Sequence, residues 1–194
     1  MQDFWFYMQL GLHHVLDIHA YDHILFLNAL ALPYTFKSWK KVLILATVFT
    51  VAHCTSLALS VYGILAVDVA WIEFLIPVTI LATALFDLVY AKKEEHSRGL
   101  VWHLVATGFF GLIHGFGFSN YFHMLMADVE EKLGPLIGFA GGIEISQVVV
   151  ILCILVLAYI MQSLIGIKQH LFITILSIII ICITIPMLVQ TFPL

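Results

Sequence analysis

The sequence predicts an all-α integral membrane protein: a bundle of six transmembrane helices preceded by an N-terminal helix at the membrane interface. Three observations carry that prediction. Of 194 residues, 62% are apolar and only 10% are charged, whereas soluble domains carry about 25% charged residues. Several apolar runs reach the roughly 20 residues needed to cross a hydrocarbon core, and 145–167 and 171–194 hold no charge at all. The charges that do occur gather between such runs. No long-period repeat, low-complexity tract or linker interrupts the pattern, so 1–194 reads as a single transmembrane domain.

Taken in order, 2–18 is rich in aromatics but broken by His13, His14 and Asp17, which suits a helix at the membrane surface. The first span is expected at about 21–34, ended by Pro33 and the cluster Lys37, Lys40 and Lys41, because proline cannot continue a helical ladder. The second runs from about 41 to 62, and a short loop with Asp68 leads to the third at about 70–91. The most charged loop, 92–98, precedes a fourth span at about 99–118. A polar loop with Asp128, Glu130, Glu131 and Lys132 leads to the fifth, about 135–161, and the sixth covers about 170–190.

Six spans put the loops at 35–41, 92–98 and 162–169 on one side. They hold Lys37, Lys40, Lys41, Lys92, Lys93, Arg98 and Lys168, and the other side holds only Lys132. Cytoplasmic loops collect Lys and Arg, so both termini are expected outside, in the periplasm if the membrane is a bacterial inner membrane. The start MQDFWFY carries an acid where a basic region would open a leader, and no secretory leader is expected. Cys54, Cys153 and Cys182 lie singly in apolar runs and read as small core residues. A net charge of −4 favours neither nucleic acid nor an anionic surface as partner. A metal ion and membrane lipid are the expected partners.

The polar residues converge. Residues 11–27 hold four of the ten histidines and two of the twelve acids, with Asp22 and His23 at the mouth of an apolar run. On the expected topology, His53, Glu73, His114 and Glu144 also fall in the outer half of the membrane, with Gln147 one turn beyond Glu144. A charged residue at mid-helix costs on the order of 2.5–3.5 kcal/mol, so an unrelated scatter is not expected to share one depth. Gly111 and Gly115 bracket His114, and Gly138 and Gly142 precede Glu144; small residues at this spacing let helices approach closely. Pro77 leaves the carbonyl of Glu73 without its usual donor. Each feature alone also has a bland reading. A lone intramembrane histidine commonly bonds helix to helix, Asp22 suits a helix N-cap, and His13, His19, His96, His123 and His170 suit an interface. Together, His23, His53, Glu73, His114 and Glu144 point to a metal site. Imidazole and carboxylate without thiolate favour divalent nickel, cobalt, zinc, iron or manganese over Cu(I), with Asp22 or Asp17 orienting a ligating ring.

Five blocks in order, Gly11-x-x-His14 with Asp22-His23-Ile-Leu-Phe, FTVAHCTSLALS around His53, IEFLIP around Glu73, FGLIHGFGFS around His114 and GGIEISQ around Glu144 and Gln147, resemble the HupE/UreJ family over nearly the whole chain. The resemblance implies a membrane protein of hydrogenase and urease accessory loci, a nickel or cobalt permease. One departure stands out. The family separates its first histidine from the Asp-His pair by five residues, whereas seven lie between His14 and Asp22. The sequence therefore leaves His14, His19 and Asp17 as alternatives for that position.

Three functions fit these residues. A permease would bind a divalent ion at the outer site and pass it inward. Asp87 follows Glu73 by fourteen residues and His103 precedes His114 by eleven, so each pair nearly shares a helix face, making two ladders toward the inner side. An intramembrane zinc hydrolase acting on a lipid or lipid-linked substrate would instead use Glu144 or Glu73 as general base beside three metal ligands. A structural or haem-carrying subunit would use opposed histidines on iron.

Overall fold

The computed structural model describes residues 2–93 and 100–193; the expected positions of His96, Arg98 and Gly99 lie outside them. The described residues form helices and turns without a strand. The helices are α1 (Gln2–Leu16), α2 (Asp22–Ala31), α3 (Trp39–Val61), α4 (Val69–Tyr90), α5 (Leu100–Leu125), α6 (Leu133–Tyr159) and α7 (Gln169–Gln190). A 3-10 turn, Phe36–Ser38, leads into α3, and a π-helical turn, Ile160–Leu164, extends α6. Gly63 and Gly166 take positive φ, 68° and 80°, in the turns after these two helices, where a Cβ would strain the backbone.

Five helices, α3 to α7, are long and apolar enough to cross a membrane. The expected first span is shorter than one: α2 has ten residues, about 15 Å against a core of about 30 Å. It stops at Ala31 because Pro33 has no N–H with which to continue the ladder, and the chain turns through a Tyr34-to-Ala31 hydrogen bond of 3.0 Å. At the other extreme, α5 continues seven residues past Phe118, to Leu125, whose carbonyl accepts the Tyr7 hydroxyl at 3.0 Å.

The N-terminal helix, expected at the membrane surface, packs along the bundle. It runs alongside α6 in the same direction: Phe4 lies against Gly138, Met8 against Gly142, and the Leu12 carbonyl accepts the Ser146 hydroxyl at 3.1 Å. Glycine is the reason. A Cβ on Gly11, Gly138 or Gly142 would run into the backbone of the facing helix, so their absence lets main chain meet main chain. A second pair repeats the device. α3 and α5 also run in one direction, with Gly111 on Phe49 and Gly115 on the His53 carbonyl. α4 runs against α5, with Ile76 beside Gly117 and Phe86 beside His103, and against α7, with Phe74 beside Phe192.

These directions sort the loops. Tyr7 with Leu125, Lys132 with the Val61 carbonyl, and Phe74 with Phe192 mark the end that carries both termini. Tyr34 with His103, Gln169 with the Pro33 carbonyl, and Phe36 with Tyr159 mark the opposite end.

A histidine cluster as candidate metal centre

Where α1 ends and α2 begins, the two glycine-mediated helix pairs meet. α1 brings His14, α2 brings His23, α3 brings His53 and α5 brings His114. Glycine sets their closeness: Gly115 seats α5 on the backbone of His53, and Gly11 and Gly142 seat α1 within reach. One ligand nitrogen from each of His14, His23 and His53 lies within 4.8 Å of the other two. The His14 and His23 rings are 4.5 Å apart between centroids, and His53 is 5.7 Å from His14 and 5.5 Å from His23. His114 flanks this group, its ring 5.3 Å from that of His23.

The surroundings are apolar. Phe118 lies 4.1 Å from the His14 ring, Phe49 5.2 Å from His114, and Phe139 within 5.6 Å of His14. His23, His53 and His114 are buried. Among the described residues, the Nε2 atoms of His14, His23 and His114 and both ring nitrogens of His53 are buried without a hydrogen-bond partner. Leaving a buried polar atom unsatisfied costs about 1–3 kcal/mol, a cost that a bound ion would relieve.

Two of the rings are already oriented as metal ligands are. His114 Nδ1 lies 2.8 Å from the Phe110 carbonyl, to which it can only donate. His23 Nδ1 lies 3.2 Å from Asp22 Oδ1. Each contact holds the proton on Nδ1 and turns the Nε2 lone pair inward, as outer partners of metal-bound histidines do. Asp22 does not cap the helix through its side chain. It is the first residue of α2, and its Oδ1 accepts the His23 backbone N–H at 2.9 Å. The group suits a small ion. One nitrogen from each of His14, His23 and His53 could take part in holding such an ion.

The structure distributes the other sequence candidates. His14 reaches the cluster, while Asp17 and His19 lie in the exposed linker between α1 and α2, where Asp17 Oδ1 accepts the His19 N–H at 2.8 Å. The longer spacing before Asp22 is taken up in that linker. Glu73 is exposed on α4, since Ile72 and Ile76 take the positions facing α5; the buried ladder from Glu73 to Asp87 is therefore not formed. Glu144 is half-buried and turned toward α3, its two oxygens accepting Thr47 and Thr50 hydroxyls at 2.6 and 2.7 Å. Gln147 is fully buried, its amide without a partner among the described residues. Asp87 and His103 line one cavity nearer the other end of the bundle. His13 and His123 are exposed, and His170 is half-buried. Sequence reasoning passed over Thr47 and Thr50, although their spacing of three puts both on one face of α3.

A sequence model described as HupE / UreJ protein matches residues 1–191. No curated protein and no solved structure matches the chain. The chain belongs to the HupE/UreJ family, and with its five long apolar helices it is an integral membrane protein.

Proposed function

From membership of the HupE/UreJ family as premise, we propose that the protein is a permease for a divalent transition ion, nickel or cobalt by the family's association and zinc by ligand chemistry. His14, His23 and His53 would hold the ion, with His114 as a fourth donor and Asp22 orienting His23. The observation that carries the reading is the set of buried, partnerless imidazole nitrogens converging from four helices. Neutral imidazoles without thiolate match these borderline ions, and a site held by a few neutral donors can release as well as bind.

We read α1 and α2 as the two halves of one broken passage across the membrane, which with α3 to α7 makes six. Transporters place ion sites where such helices break near mid-membrane. The excess of Lys and Arg at the end away from the termini supports a cytoplasmic position for that end. Entry would then be from the periplasmic side of a bacterial inner membrane. Reporter fusions after Lys93 and after Lys132 are expected in opposite compartments, and finding both on one side removes the arrangement.

The hydrolase alternative asks for a substrate cavity that opens on the metal, whereas the cavity lined by Asp87 and His103 lies behind Phe26 and Phe110. A haem slot would displace the phenylalanines packed on the histidines. Neither reading gains a specific observation. The test of the permease is uptake of Ni²⁺, Co²⁺ and Zn²⁺ by proteoliposomes, beside metal analysis of the purified chain. Uptake above empty vesicles and about one tightly held ion per chain are expected. Uptake of none of the three ions sinks the permease.

A further inference from the structure

Between α2, α4 and α5 lies a cavity of about 320 Å³, with Phe26 and Phe110 in its wall. The sequence opens it. Each of the three helices contributes an alanine to the wall, Ala29, Ala82 and Ala106, where a larger side chain would close the space, and α2 stops at Ala31. The exposed lining is almost wholly apolar. Its two ionisable residues turn no charge into it: Asp87 is 1% exposed, and His103 Nδ1 is held 2.8 Å from the Tyr34 hydroxyl. A buried water needs about two to four polar partners, whereas apolar cavities of about 150 Å³ stay dry and take up hydrocarbon such as benzene. This cavity is more than large enough to do so.

Its walls run along the helices, from Phe26 to Pro33 beside α2 and from Phe110 to Trp102 on α5. At 1.5 Å per residue that is a slot about 10–12 Å long, most of the roughly 15 Å that one leaflet contributes to a hydrocarbon core. The slot reaches the outer surface of the bundle, since Ala82 and Trp102 are exposed. Leu85, Val89 and Val105, exposed apolar residues of the same two helices, continue that surface. At the end that carries the basic loops, α4 finishes at Tyr90 and exposed Lys92 and Lys93 follow. Trp102 stands 77% exposed in the first turn of α5. Tryptophan and lysine at the end of a span are what an anionic headgroup meets.

We infer that the cavity is a binding site for one acyl chain of an anionic phospholipid, whose headgroup rests by Lys92 and Lys93 and whose tail braces the wall of the histidine cluster. That wall is thin. The Phe26 ring lies 5.2 Å from that of His114 and stacks on Phe49 at 4.8 Å, and the Phe110 carbonyl lies 2.8 Å from His114 Nδ1. A tail in the slot supplies the dispersion contacts that a void forfeits and backs both phenylalanines where they meet His114. The lipid site stands on the cavity alone, whereas the brace rests on the reading of the histidines as a metal site.

The experiment is native mass spectrometry of the purified full-length chain in mild detergent, paired with Co²⁺ titration before and after delipidation. Wild type is expected to retain one phosphatidylglycerol per chain in preference to phosphatidylcholine offered at the same concentration. Ala106→Trp fills the cavity and should lose that lipid. Val105→Trp, on the exposed side of the same helix, should keep it, which separates a seated chain from surrounding lipid. If Ala106→Trp does not fold, Ala82→Phe at the mouth supplies the same comparison. Delipidation should weaken Co²⁺ binding to wild type by about fivefold or more, the usual scale of coupling between two sites, and added phosphatidylglycerol should restore it. In Ala106→Trp the affinity should no longer respond to lipid. Equal retention by wild type and Ala106→Trp overturns the site, as does a fatty acid or a quinone found in place of the phospholipid. Retained lipid whose removal leaves Co²⁺ affinity unchanged overturns the brace. Absence of Co²⁺ binding by wild type overturns the metal-site reading and the brace with it, and retention still decides the lipid site.

Discussion

Glu144 and the histidine cluster are both polar groups within an apolar helical bundle, yet their local chemistry is opposite. Both carboxylate oxygens of Glu144 accept threonine hydroxyls from α3, at 2.6 and 2.7 Å. The cluster gathers five imidazole nitrogens with no partner among the described residues. A buried polar group that is satisfied holds helices together, whereas one left unsatisfied stores a cost that a ligand can relieve. Similar depth in the bundle therefore does not mean a shared function. The contrast separates a helix clasp from a binding site, although the sequence shows both as ionisable residues in apolar runs.

The severest way to break the contrast is to move the helices that create it. Gly115 has no room for a Cβ, which would meet the His53 carbonyl and the Ser56 hydroxyl. Gly115→Val should force α5 away from α3, at a cost of about 3 kcal/mol or more, and should abolish metal retention along with it. Thermal unfolding in detergent and metal analysis test the two together. A variant as stable as wild type would show that the pair does not depend on backbone contact.

Next comes removal of a ligand without disturbing the packing. His53 is fully buried among Phe49, Phe139 and the other rings, with neither nitrogen bonded. His53→Leu should lose metal and at the same time stabilise the metal-free protein, by about 1–3 kcal/mol, because an unsatisfied polar group is replaced by an apolar one. Opposite signs in the two measurements are what a binding site predicts. If the metal-free protein is instead destabilised by several kcal/mol, the imidazole has a structural role. A smaller effect is expected one step out. Asp22→Asn keeps the shape of the group that holds His23 Nδ1 but removes its charge, and such outer partners typically contribute 10–100-fold to metal affinity. Competition with a chelator of known strength measures it.

How much of this was legible in the sequence follows from what each signal encodes. Hydropathy marked the long helices because one apolar run is one helix, and the glycine spacings marked two close contacts. The break between α1 and α2 was hidden. Periodicity does not say that a fifteen-residue helix lies along α6, and only the seating of Gly138 on Phe4 and of Gly142 on Met8 reveals it. Depth was legible for His53 and His114, since each lies in a long helix of fixed direction. Rotation about the axis was not. Glu73 and Asp87 differ by only about 40° around α4, yet one is exposed and the other buried. His14 was ambiguous for a related reason: a linker of unknown path separates it from Asp22, and sequence spacing across a loop does not fix a distance.

The smallest expected effect tests the contrast at its other pole. Glu144 stands at a depth where the sequence alone groups it with the histidines, but its carboxylate is committed to Thr47 and Thr50. Glu144→Gln keeps one carbonyl oxygen to accept a hydroxyl and places an amide where the second oxygen was. Thr47 has an alternative acceptor in the Leu43 carbonyl, 3.0 Å away on its own helix, so little should be left unsatisfied. The loss of a charged acceptor should cost about 1 kcal/mol of stability, with metal content near that of wild type. Were Glu144 a ligand in some state of the protein, the amide would be a far poorer donor and metal content would fall as in His53→Leu. A measured loss of that size would move Glu144 from the clasp to the metal, and would require α6 to turn its carboxylate away from α3 when the ion arrives.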